Sequence, residues 1–380
     1  MSRIVDEHRE YLADKRRVAA FRRAIEATVR PGDVVLDLAS GTGILGLLAA
    51  SAGATHVYSI ESSSLIGLTR QIASANGWRD RFTFLRELST FAELPEKVDV
   101  VVSDQIGRFG FESGVFEYFA DARTRLLKPE GTMIPSSVSL WAAPVERADV
   151  WADVDFWSRP VHGFDMTPAR DISVNTGYPV HLKASHLLGP PVHLISADPG
   201  EPVREPWRVS GTSIATRAGT LHGVGGWFSA DLAPGVTMTN SPLSHERINR
   251  RNVYLPTDQP VPVAAGDQVD IRMQVSPARY MLSWTIEVRG AGAVTPSSCS
   301  SHSTWKGMLL RAEDLRRTSP TFVPHLTPRG RARLTVLELC DGQAALGEVQ
   351  AEVLRRHPDL FPSEAEAGVF VAEVVTRYAT

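Results

Sequence analysis

At 380 residues the chain exceeds what one hydrophobic core usually organises, so two or three domains are expected. Its 43% hydrophobic and 22% charged content and formal net charge of -3 sit near globular averages, which argues against disorder and against a nucleic-acid partner. Only Cys299 and Cys340 occur, without CxxC spacing, which excludes a disulfide framework or a cysteine metal site; a charged N-terminus and the lack of any run of about 18 apolar residues predict a cytoplasmic protein with no membrane partner and no metal.

In chain order, Leu12, Val18, Phe21 and Ile25 recur at near-helical spacing between Tyr11 and Val29, and Pro31-Gly32 stops the run, predicting one amphipathic lead-in helix. Short β-rich runs then alternate with helical ones: strands at 34–38, 57–60, 82–85 and 98–103, helices near 44–51 and 64–76. That alternation predicts a parallel, doubly wound α/β sheet. A helix is expected around 112–127, followed by a turn at Lys128-Pro129-Glu130-Gly131. From about Leu140 to Val288 many short strands broken by turns such as Ala233-Pro234-Gly235 predict a β-barrel or sandwich. Residues 290–303 are rich in Ser, Gly and Ala and read as a linker, and 334–378 return to helical patterning with a break at 357–362.

The strongest local signal is VVLDLASGTGIL at 34–45, a strand entering a small-residue loop that opens a helix. Small residues let the backbone approach a ligand, and the loop lies where open α/β sheets bind ligands. Glu61 ends the next strand roughly 20 residues on, placed to take both ribose hydroxyls. The loop lacks the full GxGxxG phosphate cradle, which suits a nucleoside without pyrophosphate. A tight strand-to-helix turn without a ligand is the bland alternative, which the paired Glu61 disfavours.

With these residues in place, the sequence resembles the protein arginine methyltransferases from about residue 8 to 288. HREYLADKRR at 8–17 is similar to the family's lead-in helix, and SDQIGRFGFES at 103–113 to its acceptor loop. The resemblance implies a Rossmann-like class I methyltransferase domain using S-adenosyl-L-methionine. The donor would be held by His8, Arg17, Asp37, Ala39, Ser40, Gly41, Gly43, Ile44, Leu45, Glu61, Ser62, Leu88, Ser89 and Asp104. Arg17 would pair with the donor's carboxylate, a charge-assisted contact that favours Arg. Asp104 and Glu112 would be the catalytic pair, clamping a flat guanidinium between them, with Tyr11 and Arg250 also touching substrate. FWSRPVHGFDMTP at 156–168 resembles the family's dimerisation arm and implies a head-to-tail homodimer. The C-terminal stretch is similar to the helical half of PqqD-like modules, although a small packing domain would serve as well. The implied division is a methyltransferase domain at 1–137, a β-barrel domain at 138–290 with its arm around 151–195, a linker at 291–319 and a small helical module at 320–380.

Departures from the family pattern bear on the acceptor. The first carboxylate is Asp where the family has Glu, the pair is one position closer, and Arg108 lies inside the loop. Ile248-Asn249-Arg250-Arg251-Asn252 stands where the family has Thr-His-Trp, and His302 and Trp305 fall outside that register. These cations suggest a pocket able to take an amino-acid carboxylate, hence free L-arginine in natural-product biosynthesis. A peptide or protein arginine, with the C-terminal module holding a peptide, and a catalytically inactive scaffold are the alternatives.

Overall fold

The computed structural model describes residues 4–309 and 312–379. Two units have separate cores: Met1–Met308 and Leu309–Thr380.

The first unit opens with two helices, α1 (Ile4–Ala13) and α2 (Lys15–Thr28), where one was expected. The break is Asp14, whose side chain caps α2 by accepting the Arg17 amide, so the backbone restarts there. A β/α alternation follows: β1 (Val34–Leu38), α3 (Ile44–Ala52), β2 (His56–Ile60), α4 (Leu65–Ala75), β3 (Phe82–Leu85), β4 (Val98–Val102), α5 (Val115–Arg125) and β5 (Leu127–Ile134). The strands form one parallel sheet in the order β3-β2-β1-β4-β5. Every residue of β1 is buried, as expected for a central strand covered on both faces. The chain order reverses between β1 and β4, and ligands of such sheets bind in the crevice at that point.

Two antiparallel sheets complete the unit. β6 (Ser137–Val145), α6 (Ala148–Asp155), α7 (Pro168–Ser173), β7 (Tyr178–Val180), β8 (Val192–Ala197), β9 (Trp207–Ile214), β10 (Gly219–Ala233), β11 (Val236–Thr239), β12 (Asn252–Val263), β13 (Gln268–Ser276), β14 (Met281–Arg289) and β15 (Ser298–Ser303) follow in sequence. One sheet runs β7-β12-β10-β6-β8 with β11 on β10; the other runs β15-β14-β13-β9. They meet where the Asp258 amide of β12 donates to Ser300 Oγ of β15 at 2.7 Å, giving a barrel-like body. The helix α2 buries Phe21, Ala24 and Ile25 and packs against β10 and β11, which fixes the lead-in segment between the α/β sheet and the barrel.

Two local expectations are corrected. Residues 128–131 do not turn the chain but remain in β5 as a bulge, opposite the register shift between Val98 and Val100, with Lys128 tied to Asp99. The serines read as linker form β15, which pairs with β14 from Ser303↔Ser283 to Ser298↔Val288. Polar residues survive on that edge because they satisfy one another: His302 Nε2 lies 2.9 Å from the buried Ser300 Oγ, while Trp305 is exposed.

The second unit holds α8 (Ala312–Arg317), α9 (Pro328–Glu338), α10 (Leu346–Arg356) and α11 (Glu364–Tyr378), with Val336, Val353, Phe370 and Val374 in its core. Among the described residues no helix is long and apolar enough to cross a membrane.

Candidate active site

The loop leaving β1 has three left-handed residues, Ala39 (φ 56), Gly41 (φ 55) and Gly43 (φ 80). A Cβ on Gly41 would lie 2.3 Å from His8 Cε1, and one on Gly43 2.4 Å from Thr69 Cγ2, so both positions require glycine. The Gly41 amide donates to Glu61 Oε2 at 3.1 Å, and Ser63 donates to Oε1 at 2.9 Å, aiming that carboxylate at the loop. Beneath it Asp37 is fully buried: Oδ2 accepts the Gly46 amide at 2.8 Å, and Oδ1 has no partner among the described residues. Burial, opposed by the Gly46 amide and reinforced by Glu61, pushes the Asp37 carboxyl up to about 7. The buried Ser40 hydroxyl is also without a partner among the described residues. A glycine-shaped backbone, an unsatisfied hydroxyl and an adjacent carboxylate fit the polar edge of S-adenosyl-L-methionine.

The opposite wall is α1 and the start of α2. Asp14 Oδ2 also accepts the Asn249 amide at 2.6 Å, tying the lead-in segment to the loop before β12. Burial holds the His8 imidazole below its ordinary value, against the pull of Glu61 and Glu7, so the ring is neutral at pH 7. Tyr11 donates to Glu7 Oε1 at 3.0 Å, and the Arg17 guanidinium lies 5.5 Å from the Tyr11 ring centroid.

Asp104 follows β4 and is the hub of the site. Arg17 Nε donates to Oδ2 at 2.5 Å, and Arg250 grips both oxygens, Nη1 to Oδ1 at 3.1 Å and Nη2 to Oδ2 at 2.6 Å. Arg250 Nη1 also donates to the Gly107 carbonyl at 3.2 Å. The side chains of Arg17, Asp104 and Arg250 are only 8%, 8% and 12% exposed. Burial alone would raise the Asp104 carboxyl, but the two guanidiniums outweigh it and hold the group below the usual carboxylate range.

Glu112 is placed differently from the expected clamp. Its carboxylate accepts the amides of Arg108, of Phe109 at 3.0 and 3.1 Å, and of Phe111 at 3.3 Å, so it is anchored to its own loop. Gly107 permits this fold-back, since a Cβ there would meet the Glu112 carboxyl carbon at 2.5 Å. A cavity of about 670 Å³ runs from the 39–45 loop to Asp104, and Glu112 is not on its wall. His8, Tyr11, Arg17, Ala39, Ser40, Gly41, Ile44, Leu45, Asp104 and Arg250 are on it. Asp37, Gly43 and Glu61 shape the loop from behind. Ser62, Leu88 and Ser89 stand off the wall: Ser62 and Leu88 are exposed, and buried Ser89 gives its carbonyl to Arg125 at 2.7 Å.

Two residues that sequence reasoning passed over hold the site together. One is Asp14, for which an N-cap signal ahead of the KRR run was available. The other is Asn240, whose Nδ2 donates to the carbonyls of Arg108 at 2.8 Å and Arg251 at 3.0 Å while Oδ1 accepts the Phe228 amide at 3.0 Å. It stitches the Asp104 loop to the Arg250 loop, yet as an isolated Asn beside turn residues it carries no sequence signal.

Residues 22–139 match the ribosomal protein L11 methyltransferase (PrmA) family, a span that includes the 39–45 loop and Asp104. The chain is 30% identical over 273 residues to the arginine N(omega)-methyltransferase of Streptomyces achromogenes subsp. streptozoticus, covering 70% of this chain and 75% of that one. It is 32% identical over 304 residues to protein arginine N-methyltransferase 6 of Xenopus tropicalis, covering 74% and 89%. Among solved structures, the Trypanosoma brucei PRMT1 enzyme-prozyme complex with AdoHcy superposes with a TM-score of 0.70 at 24% identity over 78% of this chain and 97% of that one. Arabidopsis thaliana protein arginine methyltransferase 10 gives 0.67 at 24% identity with the same coverage, and both likenesses concern the fold. The chain belongs to the arginine N-methyltransferases, enzymes that use S-adenosyl-L-methionine as methyl donor.

Proposed function

We propose that this enzyme methylates free L-arginine, in the cytoplasm and as a step of natural-product biosynthesis. The observation that supports this reading is a pair of cations without a partner among the described residues, on a cavity wall that also carries Asp6, Glu7, Glu10 and Asp14. Arg108 and Arg251 line the same cavity, are exposed, and make no side-chain hydrogen bond or ion pair with another described residue. A free amino acid brings a carboxylate that such cations would attract into the cavity; an arginine inside a peptide does not.

When bound, S-adenosyl-L-methionine supplies an electrophilic methyl group on a sulfonium. Arg17 and His8 would hold its methionine end. Asp104, kept ionised by its neighbours, would orient the planar acceptor and draw its positive charge toward the nitrogens it bonds, leaving the remaining nitrogen the better nucleophile; as its bond to the methyl carbon forms, the S–C bond breaks to leave S-adenosylhomocysteine and the nitrogen's proton passes to water in the cavity. Glu112 serves by fixing the backbone of the loop that carries Asp104. With methyl-labelled donor, label is expected in free L-arginine and not in an Arg-rich peptide at equal concentration. Transfer to the peptide alone would overturn the reading.

The same proposal includes a head-to-tail homodimer. Between α6 and α7 the chain doubles back through a Val161↔Phe164 bridge with His162 and Gly163 at positive φ, leaving Phe164 71% exposed and Phe156 52% exposed. Large aromatics left exposed on an ordered segment mark a protein contact.

A further inference from the structure

We infer that Arg250 is the residue that selects a zwitterionic acceptor: it guards Asp104 as a resident guanidinium and gives way only to a ligand that offers Arg250 a carboxylate in exchange. This rests on the free-arginine reading and specifies how that substrate is recognised. Asp104 already carries three N–H bonds from two arginines, and Arg250 occupies both of its oxygens. A third guanidinium cannot take the same two-toothed position while Arg250 remains. Adding one beside it would place three cations around one buried anion, where water does little to screen their repulsion. The acceptor must therefore replace Arg250 on Asp104.

What happens to the displaced side chain decides which ligands succeed. The Arg250 side chain is only 12% exposed, and a guanidinium so enclosed is unfavourable when stripped of its counter-charge. Agmatine, or an arginine within a peptide, brings only a cation and leaves Arg250 in that state. Free L-arginine brings one cation and one anion, so a single Arg250–Asp104 pair becomes two pairs: substrate guanidinium with Asp104, and Arg250 with the substrate carboxylate. There is room for the movement. Arg250 forms part of the wall of two cavities, the one holding Asp104 and a neighbouring one of about 670 Å³ shared with Arg16, Asn240 and Arg247, and Glu10 lines both. The contacts it leaves are modest: the Gly107 carbonyl, and a Phe228 ring whose centroid is 5.7 Å from its guanidinium carbon.

The test compares kcat/KM for L-arginine and for agmatine, which has the same guanidinium but no carboxylate, in the wild type, Arg250→Gln and Arg250→Lys. The wild type is expected to prefer L-arginine by on the order of 100-fold. In Arg250→Gln that preference should fall about tenfold or more, with agmatine turnover rising because no buried cation has to be displaced. Arg250→Lys, a cation without the planar fork, should be intermediate. An unchanged preference in Arg250→Gln, with L-arginine still methylated, overturns the exchange and leaves the free-arginine reading standing. Labelling of peptide alone by the wild type overturns both. Should the variants not fold, a wild-type structure with L-arginine and S-adenosylhomocysteine decides: Arg250 on the substrate carboxylate supports the exchange, and Arg250 still on Asp104, or moved onto Glu10, overturns it.

Discussion

Asp104 lies between two guanidiniums and Asp37 touches none, and the two buried carboxylates titrate in opposite directions as a result. Asp104 is depressed, so its stabilising contribution is present above the unfolded value near 3.8 and is lost as pH falls through its lower folded value. For Asp37 the sign reverses. Its folded value is about 7, so between the unfolded 3.8 and that value the native state holds a proton the unfolded chain has released, and stability declines as pH rises. Asp37→Asn keeps an acceptor for the Gly46 amide but cannot ionise. In urea unfolding, the variant's advantage over wild type should grow from pH 5 to about 7 and then level off; parallel stability curves would refute the assignment. The Asp37 position was legible, because an acid near the end of a buried strand ahead of a glycine loop is a recognisable pattern. Its titration was not, since that follows from complete burial and from one oxygen left without a partner among the described residues.

At the scale of elements, the donor loop depends on two glycines that serve different neighbours, Gly43 making room for Thr69 of α4 and Gly41 for His8 of α1. Gly41→Ala would force a left-handed alanine, at about 1 kcal/mol, and drive its methyl into the His8 ring, displacing α1 from the cavity. Titration calorimetry with S-adenosylhomocysteine is expected to show about tenfold weaker binding or worse; unchanged affinity would mean that α1 does not close the donor site. Strand and helix types in this half followed from periodicity, because buried parallel strands and amphipathic helices impose it locally. Failures fell where long-range pairing overrides local chemistry: the 128–131 bulge held in β5, and the serines of β15 drawn onto the free edge of β14. The split at Asp14 was available in principle, as an aspartate ahead of a basic helical run is an ordinary N-cap.

For the whole molecule, the proposed homodimer would make its contact through the segment between α6 and α7. Phe164→Glu should shift the enzyme from dimer to monomer in sedimentation equilibrium without changing the far-ultraviolet spectrum; a variant that remains dimeric would place the interface elsewhere. The C-terminal unit has a hydrophobic core of its own, so its helical patterning could be read without reference to the rest of the chain. The same locality explains why the β/α alternation, the glycine loop and its Glu61 partner were visible from residues alone: each relation spans about 20 positions or fewer and rests on backbone conformation or strand-end placement. The proposed acceptor site is of another kind. Arg17 and Arg250 stand 87 and 146 positions from Asp104, and nothing local marks them as partners. They meet because strand order reverses between β1 and β4 while the barrel returns the loop before β12 to the same crevice. Removal of water there then makes one carboxylate and two guanidiniums depend on each other, and it is the folded backbone that turns Glu112 inward to its own amides.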